Sequence, residues 1–128
     1  MPHSLIKHTL FLTFLIGVLD LFANKFYFYW SISWFDMLMH FLAGVLVAFF
    51  VCLFAHYFTQ KGFNNKETLS LVIVTSLLVG IFWEWYELHF QITSLSDGFL
   101  YYRDTISDLL LDMLGGAVGF LYAKHLKQ

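Results

Sequence analysis

The sequence predicts an all-α integral membrane protein: one transmembrane domain over residues 1–128, a bundle of four transmembrane helices with both termini in the cytoplasm. Three observations predict it. The first is composition: 59% of the 128 residues are hydrophobic, 21% are aromatic and only 12% are charged, against about 25% charged in soluble domains. A soluble domain this small has too much surface for its volume to hide so many large apolar side chains. The second is length: Leu5–Phe28, Phe35–Phe58, Thr68–Phe90 and Ile106–Leu126 are apolar on nearly every face, and each is close to the roughly 20 residues that cross a hydrocarbon core. The third is punctuation. Polar residues gather in the breaks Tyr29–Trp34, Thr59–Glu67 and Gln91–Thr105, and the sole proline is Pro2, so no helix carries a proline kink.

The first segment starts with Lys7 and an apolar run, as a secretory signal does. Asp20 and Asn24 stand where a small-residue cleavage site belongs, so the segment is read as a helix that stays. Orientation follows from the basic residues. Lys7, Lys61, Lys66, Lys124 and Lys127 fall on one side and only Lys25 and Arg103 on the other, which puts the termini inside, in a multi-pass protein of the cell inner (plasma) membrane. Tyr27, Tyr29, Trp30 and Trp34, with Trp83, Trp85, Tyr86, Tyr101 and Tyr102, then form an outer interfacial belt. His56 and His89 read as interfacial residues. The net charge of −2 and the lack of a basic run exclude nucleic acid as a partner, and Cys52, the one cysteine, excludes an internal disulfide.

On this topology the acids fall in the outer half of every helix: Asp20 on the first, Asp36 with His40 on the second, Glu84 and Glu87 on the third, Asp104, Asp108 and Asp112 on the fourth. Helical spacing places Asp36 and His40 on one face that continues through Gly44 and Ala48. Glu84 and Glu87 continue through Gly80 and Ser76; Asp104, Asp108 and Asp112 continue through Gly115, Gly116 and Gly119; Asp20 continues through Gly17 and Thr13. Small residues let helices approach closely in lipid, so these faces point into the bundle. Asp104 has the position of a helix N-cap. An intramembrane charge is costly, and its position is by default a functional one. So many carboxylates need protons, a bound cation or Arg103 to neutralise them.

The residues Asp36-Met-Leu-Met-His40-Phe41-Leu-Ala-Gly44, Trp83-Glu84-Trp-Tyr-Glu87 and Arg103-Asp104-Thr105-Ile-Ser-Asp108-Leu-Leu-Leu-Asp112-Met-Leu-Gly115-Gly116 resemble the YjdF-like inner-membrane proteins. More distantly they resemble the VanZ-like membrane proteins, whose D-K-x-x-H-F start has Lys where this chain has Met37. The resemblance spans roughly residues 34–122. It implies the topology and the site residues; the YjdF-like family has no settled activity to carry over. Asp97-Gly98, Arg103, Asp108 and Asp112 echo the CDP-alcohol phosphotransferase motif, but its first Asp, its Ala-Arg spacing and its intervening Gly are missing.

Two function classes lead, and a third stands beside them. In the first, Asp36, His40, Glu84, Asp108 and Asp112 bind a divalent metal (Mg, Mn, Fe or Zn) and a metal-dependent membrane hydrolase acts on a lipid-linked substrate. Glu84 is then also a general base, Glu87 supports it, and Arg103 and Asp104 meet the substrate head group. A di-iron oxidoreductase fits less well, because this chain has Glu-x-x-Glu rather than the Glu-x-x-His pairs of such sites. In the second class the acids carry protons or cations in a transporter or channel subunit, which with four short helices needs a homo-oligomer to enclose a pathway. In the third the cluster only locks a structural membrane interaction protein.

Overall fold

The computed structural model describes residues 2–58 and 65–126. In chain order they form α1 (Pro2–Phe26), the four-residue α2 (Phe28–Ser31), α3 (Phe35–Phe58), α4 (Asn65–His89), a 3-10 turn (Leu95–Asp97) and α5 (Phe99–His125). The helices α1, α3, α4 and α5 are long and apolar enough to span a membrane. They satisfy their backbone hydrogen bonds internally, as a hydrocarbon surround requires. Residues 59–64, and with them Lys61 and most of the expected Thr59–Glu67 break, lie outside the described residues, as does Lys127.

Side-chain size is sorted in the way lipid favours. Ala23, Ala48 and Ala123 are fully buried, whereas Phe14 and Leu21 are each 72% exposed and Phe82 is 62% exposed. Large groups gain nothing by leaving one hydrocarbon environment for another, so helix association rests on close packing of small residues. The largest interface joins α3 to α5. There the glycines act by what they lack: a Cβ on Gly44 would land on the backbone carbonyl oxygen of Asp112, and one on Gly115 on that of Phe41. The two backbones touch, and no side chain stands between them to give way. α4 closes the core against α5 and α3, and α1 packs chiefly on α3. His8 meets Tyr122 ring edge to face at 5.5 Å. The start of α1 and the end of α5 therefore share one end of the bundle, with Lys7 and Lys124. The acids of the expected cluster lie at the other; Glu67, in the first turn of α4, stays at this one.

Three expectations need correcting. The last helix starts at Phe99, not Ile106. Its N-cap is Gly98, at φ 60° and ψ −125°, a conformation that side chains rarely adopt. Asp104 therefore sits inside α5 and caps nothing. The polar look of 91–105 hid an aromatic first turn. Finally, the Asp20 stripe does not pack inward: Gly17 and Thr13 are exposed, and a Cβ on Gly17 would meet nothing within 4 Å. α1 turns that face toward α4 without packing on it.

Between α1 and α3 the chain reverses in a few residues. Tyr27 takes a left-handed conformation, φ 59° and ψ 37°, which ends α1 and starts α2. The turn is held from both sides. Phe28 and Tyr29 each meet Phe35 edge to face, at 5.6 and 5.2 Å. The Tyr29 hydroxyl donates to Asp20 Oδ1 at 2.8 Å. Burial first, and then that hydrogen bond to Asp20, push the Tyr29 phenol well above its ordinary pKa, so the hydroxyl keeps its proton.

Candidate acid and histidine centre

α3 and α5 bring four of the expected site residues together. His40 is the hub. Its Nδ1 lies 3.1 Å from Asp112 Oδ2. Its Nε2 lies 3.9 Å from Asp36 Oδ1 and 3.9 Å from Asp108 Oδ2. His40, Asp108 and Asp112 are 5%, 2% and 3% exposed, while Asp36 is half-buried toward the outside. His40 Nε2 makes no hydrogen bond, and neither do Asp108 Oδ1 and Glu84 Oε1, all three buried. Buried polar atoms are rarely left so, and each such atom asks for a missing partner.

The α-helical repeat explains how each group arrives. Asp36 and His40 are one turn apart on α3, as Asp108 and Asp112 are on α5. The two pairs face each other because Gly44 and Gly115 let the helices close one turn further in. α4 contributes the roof. A Cβ on Gly80 would collide with the Asp112 carboxylate and the end of Leu109, so the glycine lets α4 come this near without displacing them. One turn on, Glu84 is 6% exposed, and its Oε2 accepts from Thr105 Oγ1 at 2.7 Å.

The donor atoms of Asp36, His40 and Asp108 lie within 4.8 Å of one another, close enough to share an ion. Asp112 holds the opposite nitrogen of the same ring, the relation in which a carboxylate orients a histidine ligand from behind. Glu84 stands beside this group, with one oxygen engaged and one free. Glu87 is half-buried a turn farther out and accepts from Trp83 Nε1 at 3.1 Å. Asp104 is exposed and lines the outer opening. Arg103 is exposed, makes no ion pair among the described residues and does not line that opening. It does not neutralise the buried carboxylates. His56 and His89 are both exposed, His89 stacked on Trp85 at 5.3 Å.

Two connected spaces lead to the centre. An outer vestibule of about 430 Å³ is walled by Trp30 from α2, by Trp83 and Tyr86 from α4, and by acids. An inner cleft of about 320 Å³ runs between α1 and α4 down to His40 and Asp112. The two share Asp20, Tyr29, Asp36 and Trp83. Two contributors were absent from the expected site. Thr105 carries a signal, being three residues before Asp108 and so on the same helical face. Tyr29 carries none beyond its place in the aromatic belt.

A family model described as a predicted membrane protein, DUF2238, matches residues 2–128. This is the YjdF-like grouping that the motifs resemble; the VanZ-like likeness rests on the motifs alone. No curated protein and no solved structure matches the chain.

Proposed function

We propose, for a chain that belongs to the DUF2238 family of predicted membrane proteins, that the centre holds a divalent cation and hydrolyses or otherwise modifies a lipid-linked substrate at the outer leaflet of the inner membrane. One observation carries the reading: His40 Nε2 is buried, has no hydrogen-bond partner, and faces two carboxylates at 3.9 Å while Asp112 fixes the ring from the other nitrogen. An ion bound at about 2.0–2.4 Å to each donor spans such a separation. Two carboxylates and one imidazole suit Mg, Mn, Fe or Zn.

Asp36, His40 and Asp108 are the ligands in this reading, and Asp112 sets the tautomer and tilt of His40. Glu84 stands ready as a further ligand or as the base, since its Oε1 is buried without a donor. Glu87 supports it from the vestibule side. A divalent ion held there would supply Lewis acidity toward a phosphoryl or carbonyl oxygen. The chain's own contribution is a preorganised set of carboxylates about one imidazole and, in Glu84, a carboxylate to take the proton. Asp104 meets the polar end of the substrate at the opening, with Arg103 beside it in sequence.

Elemental analysis of the purified protein tests this directly. Stoichiometric divalent metal, lost in His40→Ala and Asp108→Asn, is the expected result. Metal absent from the wild type, or unchanged in both variants, sinks it. A second reading has its own observation: the His40–Asp112 bond joins α3 to α5, so the cluster would serve only to lock the bundle. In that case both variants misfold rather than lose metal. A transporter or channel role has less support, because the seam beneath the cluster is closed by touching backbones; flux into proteoliposomes that depends on Glu84 or Asp112 would favour it.

A further inference from the structure

The inner cleft lies between two helices that both span the hydrocarbon, yet α1 and α4 do not pack on each other along it. Its sides are Ile16 and Gly17 of α1, Ala43 of α3 and Val79 of α4, and its floor reaches His40 and Asp112. Gly17 and Val79 are exposed, so the cleft opens sideways. Inside a bilayer such a space faces acyl chains, and mostly apolar walls give water too few partners to fill it. The vestibule above has a different chemistry. Asp20, Asp36, Glu87 and Asp104 line it, with the rings of Trp30, Trp83 and Tyr86, and no Lys or Arg does. Carboxylates among aromatic faces are the environment that holds an ammonium group, and they repel a bare anion.

We infer that a bilayer lipid enters sideways between α1 and α4, seats one hydrocarbon chain in the inner cleft against Gly17 and Ala43, and places an ammonium-bearing head group in the vestibule. This rests on the lipid-linked reading of the same centre and names its substrate class. Gly17 is the entrance. Its exposed, uncrowded position explains why the Asp20 stripe carries a glycine that no helix packs against.

Photolabelling tests the idea on the full chain. The protein is reconstituted in vesicles of phosphatidylglycerol carrying a trace of phosphatidylcholine with a mid-chain diazirine, irradiated, and its adducts mapped by mass spectrometry. Adducts are expected on Met39 and Ala43, which line the inner cleft, as well as on the outward-facing Phe14 and Leu78. Gly17→Trp, whose side chain has open space to occupy, should remove the adducts on Met39 and Ala43 and leave those on Phe14 and Leu78, with a wild-type melting temperature reporting that the variant is folded. The same diazirine on phosphatidylglycerol, in the same vesicles, should label Met39 and Ala43 more weakly. Adducts confined to outward-facing residues, or inner adducts that persist in Gly17→Trp, overturn sideways entry. Equal inner labelling by the two lipids overturns the ammonium preference. Metal content measured on the same preparations separates this inference from the metal reading: inner labelling without metal leaves the lipid cleft standing, and metal without inner labelling leaves only the ion site.

Discussion

The interface between α3 and α5 is two interfaces in series. In its inner half Gly44 meets the backbone of Asp112, Gly115 meets that of Phe41, and Gly119 meets Val45 and Ala48. In its outer half the same two helices meet through His40, Asp36, Asp108 and Asp112. The inner half holds with no charge at all. Close backbone packing joins the helices there without help from an ionisable side chain. Burying these groups costs desolvation, which the proposed ion site would offset and a purely structural lock would have to meet through the His40–Asp112 bond alone.

Breaking the inner half should have the largest effect. Gly115→Leu puts a branched side chain where the Phe41 carbonyl already lies. Overpacking typically costs about 1–3 kcal/mol, and here the neighbour is backbone, so the cost should reach the top of that range or exceed it. Loss of a monodisperse peak on size exclusion, or a much lower melting temperature, checks it. A well-folded Gly115→Leu would show that the seam is looser than its geometry.

The outer half should behave oppositely. Asp108→Asn is nearly isosteric, and the seam below should keep it folded. Added Mn²⁺ or Zn²⁺ should then raise the melting temperature of the wild type and not of the variant, since an ion binding only the native state at about 100 times its dissociation constant stabilises it by about 2.7 kcal/mol. Asp112→Asn should be milder: the ligands remain, but the ring loses its carboxylate partner, so affinity falls about 10–100-fold. Titration calorimetry that finds Asp112→Asn as damaging as Asp108→Asn would make Asp112 a ligand rather than an orienting group.

The smallest effect concerns the turn that tethers α1. Tyr29→Phe removes one hydrogen bond, to the Asp20 carboxyl group, at a cost of about 0.5–3 kcal/mol across neutral and charged acceptors. Its pH dependence has a definite sign. The phenol is raised above its ordinary value in the folded protein, so its contribution is complete below the unfolded value, about pH 10, and falls as pH rises beyond it. The stability gap between wild type and Tyr29→Phe should be flat at neutral pH and narrow only in strong alkali.

Much of this contrast was legible in the sequence. His40, Gly44 and Ala48 recur at helical spacing, as do Glu84, Gly80 and Ser76, and Asp108, Asp112 and the late glycines. All of these are buried. The division of roles within the cluster was not. Asp112 and Asp108 are one turn apart on one helix, and only the setting of the His40 ring decides which faces which nitrogen. Gly17 shows the limit of small-residue stripes. Such a stripe permits close approach without naming a partner, and α1 took α3. The early start of α5 was hidden because Phe99 to Asp104 looks like interfacial loop, and the left-handed Gly98 that begins the helix is a common loop residue too.

His40 and Asp112 are 72 residues apart in the chain, and this separation sets an order of assembly. The helices leave synthesis one after another, and α5 is the last of the four. Until it arrives, α3 carries Asp36 and His40, and α4 carries Glu84, with their partners on α5 missing. Local contacts between α1 and α3 can form early; the non-local seam between α3 and α5 comes late. The centre thus reports completion. A chain that lacks α5 has no Asp108 and Asp112 and no glycine seam, so the centre is complete only once the last helix is in place.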